Sequence, residues 1–171
     1  MISNSFSLYL QIFNGSSIFI PPTFFCMISI DYPAAKPKLK EINAQTSIFC
    51  MVRKIWLVLT PEEWVRQHFL LYLTAVLRYP ASIIAVEKQI IIANRKKRFD
   101  IIVYKNMQPY IIVECKEMKV ALTEHTMMQV LGYNSTLQAN IIIVTNGVQC
   151  AAFEQGSTGW QSLSSLPYFK A

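Results

Sequence analysis

Two short runs of β-branched and aromatic residues, Arg98-Phe99-Asp100-Ile101-Ile102-Val103-Tyr104 and Tyr110-Ile111-Ile112-Val113-Glu114-Cys115-Lys116, flank a polar segment from Lys105 to Pro109. Such runs favour extended backbone, and so short a polar break leaves room only for a reversal, so an antiparallel hairpin is predicted. Centring it on Met107 sets Asp100 directly opposite Glu114. Opposed Cβ atoms lie about 4.5–5.5 Å apart, where two like charges repel unless a cation neutralises them. Side chains alternate along a strand, so Lys116 emerges on the face of Glu114. Asp, Glu and Lys at one sheet end offer hard oxygen donors beside an ammonium, a set suited to a divalent cation and an activated water. Charged residues also mark ordinary solvent-facing strand ends, and that plainer reading stands beside it.

Upstream, Thr60 as N-cap, Pro61 at the first helical position and Glu63 two further on spell a capping box, and Val65, Phe69, Leu73 and Leu77 recur at helical spacing toward Tyr79-Pro80. Glu63 therefore has two possible roles, a cap or a carboxylate of the site. Arg66 and Gln67 are expected to face phosphate or water, and His68 to be scaffolding. Residues 83–93 read as a strand interrupted by Glu87 and Lys88, followed by a basic turn with Arg95, Lys96, Lys97 and Arg98. That turn either collects phosphates or is a solvated tip. Glu87 either adds a carboxylate to the site or pairs with Arg98. A second helix is expected over residues 123–137, then a buried strand from Asn140 to Thr145, a tight turn at Asn146-Gly147 and a last strand from Val148 to Phe153. Helix, three strands, helix, two strands is an α/β (α+β) order.

The pattern Asp100…Glu114-Cys115-Lys116, with Leu59-Thr60-Pro61-Glu62-Glu63-Trp64-Val65-Arg66-Gln67 before it and Thr145-Asn146-Gly147 after it, resembles the PD-(D/E)XK nuclease superfamily. Within that superfamily it is similar to the N-terminal domain of type I restriction enzyme R subunits, over roughly residues 50–154. Phe99 stands where the superfamily name has Pro, and Cys50 where the family usually has an acidic residue. The resemblance implies a restriction-endonuclease-like αβββαβ core, a mixed β-sheet flanked by helices, and metal-dependent hydrolysis of DNA phosphodiesters. It casts Asp100, Glu114 and the Cys115 main-chain carbonyl as holders of Mg²⁺, with Mn²⁺ as substitute, and Lys116 as the group that orients water or stabilises developing charge. Glu63 would be the extra acidic residue. Gln129 and Tyr133, four apart on the second helix, would support the site or touch the nucleic-acid backbone. The chain shows no Walker A pattern, so motor or specificity subunits are expected on other polypeptides. The alternative is a non-catalytic nucleic-acid-binding or assembly module that keeps the nuclease fold.

Composition sets bounds on these readings. A length of 171 residues suits one domain, and although 53% of residues are hydrophobic, no apolar run reaches the span of a membrane helix. A net charge of +6 favours polyanionic partners. Cys26, Cys50, Cys115 and Cys150 lack metal or disulfide spacing, which fits a reducing cytoplasm. Residues 1–26 lack the basic segment and cleavage site of a secretory signal and are expected to be a dispensable or misannotated extension, with an exposed apolar arm as the alternative. Residues 1–46 are thus read as an extension and solvated connector, poorly ordered in part. Residues 47–155 form the nuclease-like domain and 156–171 a loose tail whose Trp160 and Tyr168 fold back on the core. A short hairpin is expected over residues 47–59, ahead of the first helix.

Overall fold

The computed structural model describes residues 11–13, 16–18, 26–92 and 95–170. Two short strands, β1 (Gln11–Phe13) and β2 (Ser16–Ile18), pair with each other. From β3 (Met27–Ser29) onward the chain joins the main body, and Ile28 and Ile30 are buried there. The expected hairpin is present as β5 (Gln45–Cys50) and β6 (Ile55–Val58), and β4 (Leu39–Ile42) adds a third strand to it. The connector is therefore partly sheet, because the edge of β5 offers it a ladder of hydrogen bonds.

Helix α1 (Pro61–Leu71) begins at Thr60, whose Oγ1 accepts from the Glu63 N–H at 3.0 Å. It continues as a π-helical turn (Tyr72–Val76), where the Leu77 N–H donates to the Tyr72 carbonyl at 3.0 Å. Val65, Phe69, Leu73 and Leu77 are all buried, as their spacing predicts. α1 packs against both β5 and the main sheet.

The main sheet contains β7 (Ile84–Ile92), β8 (Arg95–Lys105), β9 (Gln108–Cys115), β10 (Ile141–Thr145), β11 (Gln149–Gly156) and β12 (Gly159–Ser162), with helix α2 (Glu124–Leu137) between β9 and β10. Strand order is β12-β11-β10-β9-β8-β7, and β3 pairs with the start of β11. Only β9 and β10 are parallel among these pairs, which is why a helix rather than a tight turn connects them. The expected succession of helix, three strands, helix and two strands is thus observed, with one strand more at the end. β10 is buried along its whole length because both sheet faces are covered. One face carries Ile101, Val103, Ile111, Val113 and Cys115 under α1. The other carries Phe99, Ile102 and Ile112 with Met127, Val130 and Leu131 of α2.

The hairpin of β8 and β9 keeps the expected register in its body, Ile101↔Val113 through Val103↔Ile111. Its tip is tighter than a loop centred on Met107: a bulge follows Val103, and Asn106 and Met107 both take positive φ, 51° and 62°, as a two-residue primed turn demands. The segment after Gly156 is not a loose tail. β12 extends the sheet and Trp160 packs on the α2 face. Beyond it Leu166 is buried, the Phe169 N–H donates to the Leu77 carbonyl at 2.8 Å, and Tyr79 Oη donates to the Pro167 carbonyl at 3.1 Å. Tyr168, expected to pack, is 61% exposed; Phe169 takes that place. Among the described residues no helix is long and apolar enough to cross a membrane.

Candidate functional site

Asp100 sits where β8 changes which face it shows. Phe99 belongs to the layer under α2 and Ile101 to the layer under α1, so strict alternation breaks between them. On the neighbouring strand the ladder passes from Val86↔Ile101 to Lys88↔Phe99, and Glu87 between them adopts a φ of 51°. A positive φ is strained for a residue other than glycine and clusters at functional sites. The result is a nearly buried Asp100 carboxylate with both oxygens engaged: Oδ2 accepts from the Cys115 N–H at 2.7 Å and Oδ1 from Arg66 Nη2 at 2.7 Å.

Glu114 stands at the end of β9, and its Oε1 accepts from Lys116 Nζ at 2.9 Å. Lys116 follows the strand, held because its N–H donates to the Thr145 carbonyl at 2.8 Å and so prolongs the β9–β10 ladder. Burial raises the Glu114 pKa, and the Asp100 charge raises it further against the pull of Lys116 and Lys97. Burial alone would lower the Lys116 pKa, yet the Glu114 contact and the charges of Asp100 and Glu62 leave it raised. Asp100, Glu114 and Lys116 lie toward one end of the sheet, but the ladder of β8 and β9 begins at Ile101↔Val113, so the direct opposition of Asp100 and Glu114 expected from the sequence is not among its pairs. The two carboxylates do not share one cation, since each has taken a different one.

Arg66 is the residue whose role the sequence did not reveal. Its side chain is not turned out to solvent: it is 3% exposed and forms ion pairs with Asp100, with Glu63 and, at 3.0 Å, with Glu62. Burial opposes its charge, but the Asp100 and Glu63 carboxylates overcome this and raise its pKa. Gln67, also buried, donates to Glu63 Oε1 at 2.7 Å. The capping box is thus only half made. The Glu63 backbone N–H serves the cap, whereas its carboxylate turns inward to Arg66 and Gln67. The i,i+3 and i,i+4 spacing of Glu63 and Glu62 to Arg66 was a visible signal. The partner across on β8 was not. Glu87 pairs with Arg53 and, at 3.3 Å, with Arg98, the pairing that was one of its two expected roles, and it lies 3.9 Å from Arg66. A cleft of 520 Å³ opens here, lined by Thr60, Glu62, Glu63, Arg66, Glu87 and Arg98 among others.

Among the described residues no three His, Cys, Asp or Glu side chains converge as a ready-made metal cage. The donors present, the carboxylate oxygens of Asp100 and Glu114, are nonetheless of the right kind for a hard cation. The position beside Asp100 Oδ1 is held by a guanidinium. Cys115 is buried on the α1 face and its thiol pKa is pushed well up by burial, so it is core and not a nucleophile. His68 is scaffolding, its Nδ1 2.8 Å from the Trp64 carbonyl and its ring against Trp64 and Tyr32. Gln129 and Tyr133 both lie in α2, four residues apart as expected, but their side chains are outside the described residues.

The basic segment is strand rather than turn. Arg95, Lys96, Lys97 and Arg98 belong to β8 and pair with Ile92, Ile91, Ile90 and Gln89. β9 joins β8 only from Ile101 onward, so among the described residues this part is a two-stranded ribbon reaching past the sheet. Lys96 and Arg98 are exposed, Lys97 is half-buried and the Arg95 side chain lies outside the described residues. Alternation along the ribbon puts basic groups on both of its faces. Changing all four to Ala is expected to weaken DNA binding and to flatten its salt dependence, by about 0.9 in log–log slope for each phosphate no longer neutralised. An unchanged slope in a fluorescence-anisotropy salt titration would leave the ribbon without a role in binding.

Over residues 61–167 the sequence matches the family described as type I restriction enzyme R protein N terminus. No curated protein matches the chain. The matched range starts with the first turn of α1 and runs through the ribbon, the D…EXK strands, α2 and the docked C-terminal segment. It begins later and ends later than the stretch of residues 50–154 that carries the motifs.

Proposed function

The chain belongs to the family of type I restriction enzyme R protein N termini, a nuclease-related domain of the PD-(D/E)XK superfamily, and from that premise we propose that it hydrolyses phosphodiester bonds of DNA with Mg²⁺. The observation that carries the proposal is the contact of Lys116 Nζ with Glu114 Oε1 at a sheet end where Asp100 adds its charge. Asp100, Glu114 and the Cys115 main-chain carbonyl would hold Mg²⁺, or Mn²⁺ in its place. The bound ion would supply Lewis acidity toward phosphate oxygens and acidify a coordinated water. Lys116 remains charged through the neutral range, pointed by Glu114, and offers a fixed ammonium to a phosphate or to the attacking water. The basic ribbon would draw the polyanion toward the cleft. Separate motor and specificity subunits would supply what this domain does not.

A second reading is favoured by one observation, the Arg66–Asp100 ion pair. With Arg66 in place the site is neutralised by the protein itself, as a non-catalytic nucleic-acid-binding module would have it. Incubating the protein with single-stranded, duplex and branched DNA and with RNA, with Mg²⁺ or Mn²⁺ present, decides between them. Metal-dependent cleavage of a DNA substrate is expected. Binding without cleavage of any substrate in either metal would select the module.

A further inference from the structure

We propose that Arg66 is an internal cation that competes with the divalent ion for Asp100, so that metal binds only when the guanidinium leaves that carboxylate. This rests on the reading of Asp100 as a metal ligand and adds a positioning residue to it. Three features converge. First, Arg66 is 3% exposed and spans carboxylates from two elements, Glu62 and Glu63 of α1 and Asp100 of β8. A guanidinium buried among acidic oxygens stands where a hard cation would also be stabilised. Second, the arrangement is incompletely satisfied: Arg66 Nε is buried and finds no hydrogen-bond partner among the described residues. A fork seated for good in its place would normally have that donor paired. Third, the guanidinium has somewhere to go. Glu62, whose side chain is 47% exposed, already accepts from Arg66 Nη2 at 3.0 Å, and Glu87 Oε1 lies 3.9 Å from Nη1. Both line the cleft that opens to solvent beside the site.

A rotation of the side chain toward Glu62 and Glu87 would free Asp100 Oδ1 while keeping the arginine paired. An ion that approaches the same oxygen with Arg66 still bound meets a full positive charge within contact range, where attraction to the carboxylate is largely cancelled. The exchange is selective, since it discriminates by charge: a dication outcompetes a monovalent guanidinium at a shared oxygen, whereas Na⁺ or K⁺ does not. Apo protein then keeps its site closed, and the metal concentration needed for occupancy is set by the strength of the Arg66–Asp100 pair.

Mn²⁺ binding to the full chain, followed by electron paramagnetic resonance, tests this with wild type, Arg66→Met and Arg66→Lys. Arg66→Met is expected to bind Mn²⁺ at least tenfold more tightly than wild type, with Arg66→Lys between them because lysine keeps the charge but loses the planar fork. Mn²⁺ should also raise the melting temperature of Arg66→Met more than that of wild type, since it replaces the missing cation. If Arg66→Met does not fold, the comparison of Arg66→Lys with wild type decides. Equal or weaker Mn²⁺ binding in the folded variants overturns the proposal while leaving Asp100 as a ligand. Tighter binding that survives Asp100→Asn in the Arg66→Met background overturns it too, because the ion would then sit elsewhere. Absence of Mn²⁺ binding in every variant removes the metal reading itself, and this inference with it.

Discussion

Lys116→Ala is expected to slow DNA cleavage by about 10²–10³-fold, the usual cost of losing one electrostatic stabiliser from a preorganised site. Its ammonium is a point charge held on Glu114 Oε1, not a metal ligand, so removing it takes away charge stabilisation without touching the donors of the cation. Divalent-ion affinity should stay the same or rise, because a positive neighbour of Glu114 has gone. The fold should persist, since the Lys116 side chain is 30% exposed and its backbone N–H still bonds to Thr145. Single-turnover cleavage measured beside Mn²⁺ titration separates the two effects. A parallel loss of metal affinity would mean that Lys116 shapes the ion site instead. A wild-type protein that cuts no nucleic acid in either metal, and binds DNA equally with and without Lys116, would hand the site to the binding-module reading.

Asp100→Asn should weaken divalent-ion binding by more than about a hundredfold. Unit charges about 4 Å apart interact by roughly 4 kcal/mol near a protein surface, and each 1.4 kcal/mol is about a factor of ten in affinity. The same change has a structural cost that can be read separately. Asparagine has one acceptor oxygen where aspartate has two, so either the Cys115 N–H loses its partner or Arg66 Nη2 keeps only Glu62 of its two acceptors. A buried donor left unpaired costs about 1–3 kcal/mol. Asp100→Ala, which leaves both donors without Asp100, should be the less stable of the two variants in a denaturant titration. Calorimetric titration with Mn²⁺ at a temperature where both are folded provides the test. Unchanged affinity in Asp100→Asn would remove this carboxylate from the metal site.

The sequence alone determined those features whose causes lie within a few residues of one another. Two β-branched runs around Asn106-Met107 could only return on themselves, and the body of that hairpin keeps the pairing that brings Asp100 and Glu114 to the same sheet end. Thr60 caps the helix it precedes, the second helix begins beside Thr123 as expected, and Val65, Phe69, Leu73 and Leu77 are buried as their period requires. Parity along β9 put Lys116 with Glu114, and the contact is there. The features that stayed hidden depend on which elements cross. The basic residues from Arg95 to Arg98 look like a turn by composition, but the strand from Gln89 to Ile92 offers them a ladder. The last residues look loose until Leu77 and Tyr79 supply a carbonyl and a hydroxyl for them to dock on. Arg66 and Gln67 sit on a helix that reads as amphipathic, with nothing local to say that their side of it lies against Asp100. Only the packing of α1 against the sheet, near the point midway along β8 where that strand changes faces, could make a buried cation of Arg66, because a charge goes inside only where a counter-charge from another element is waiting.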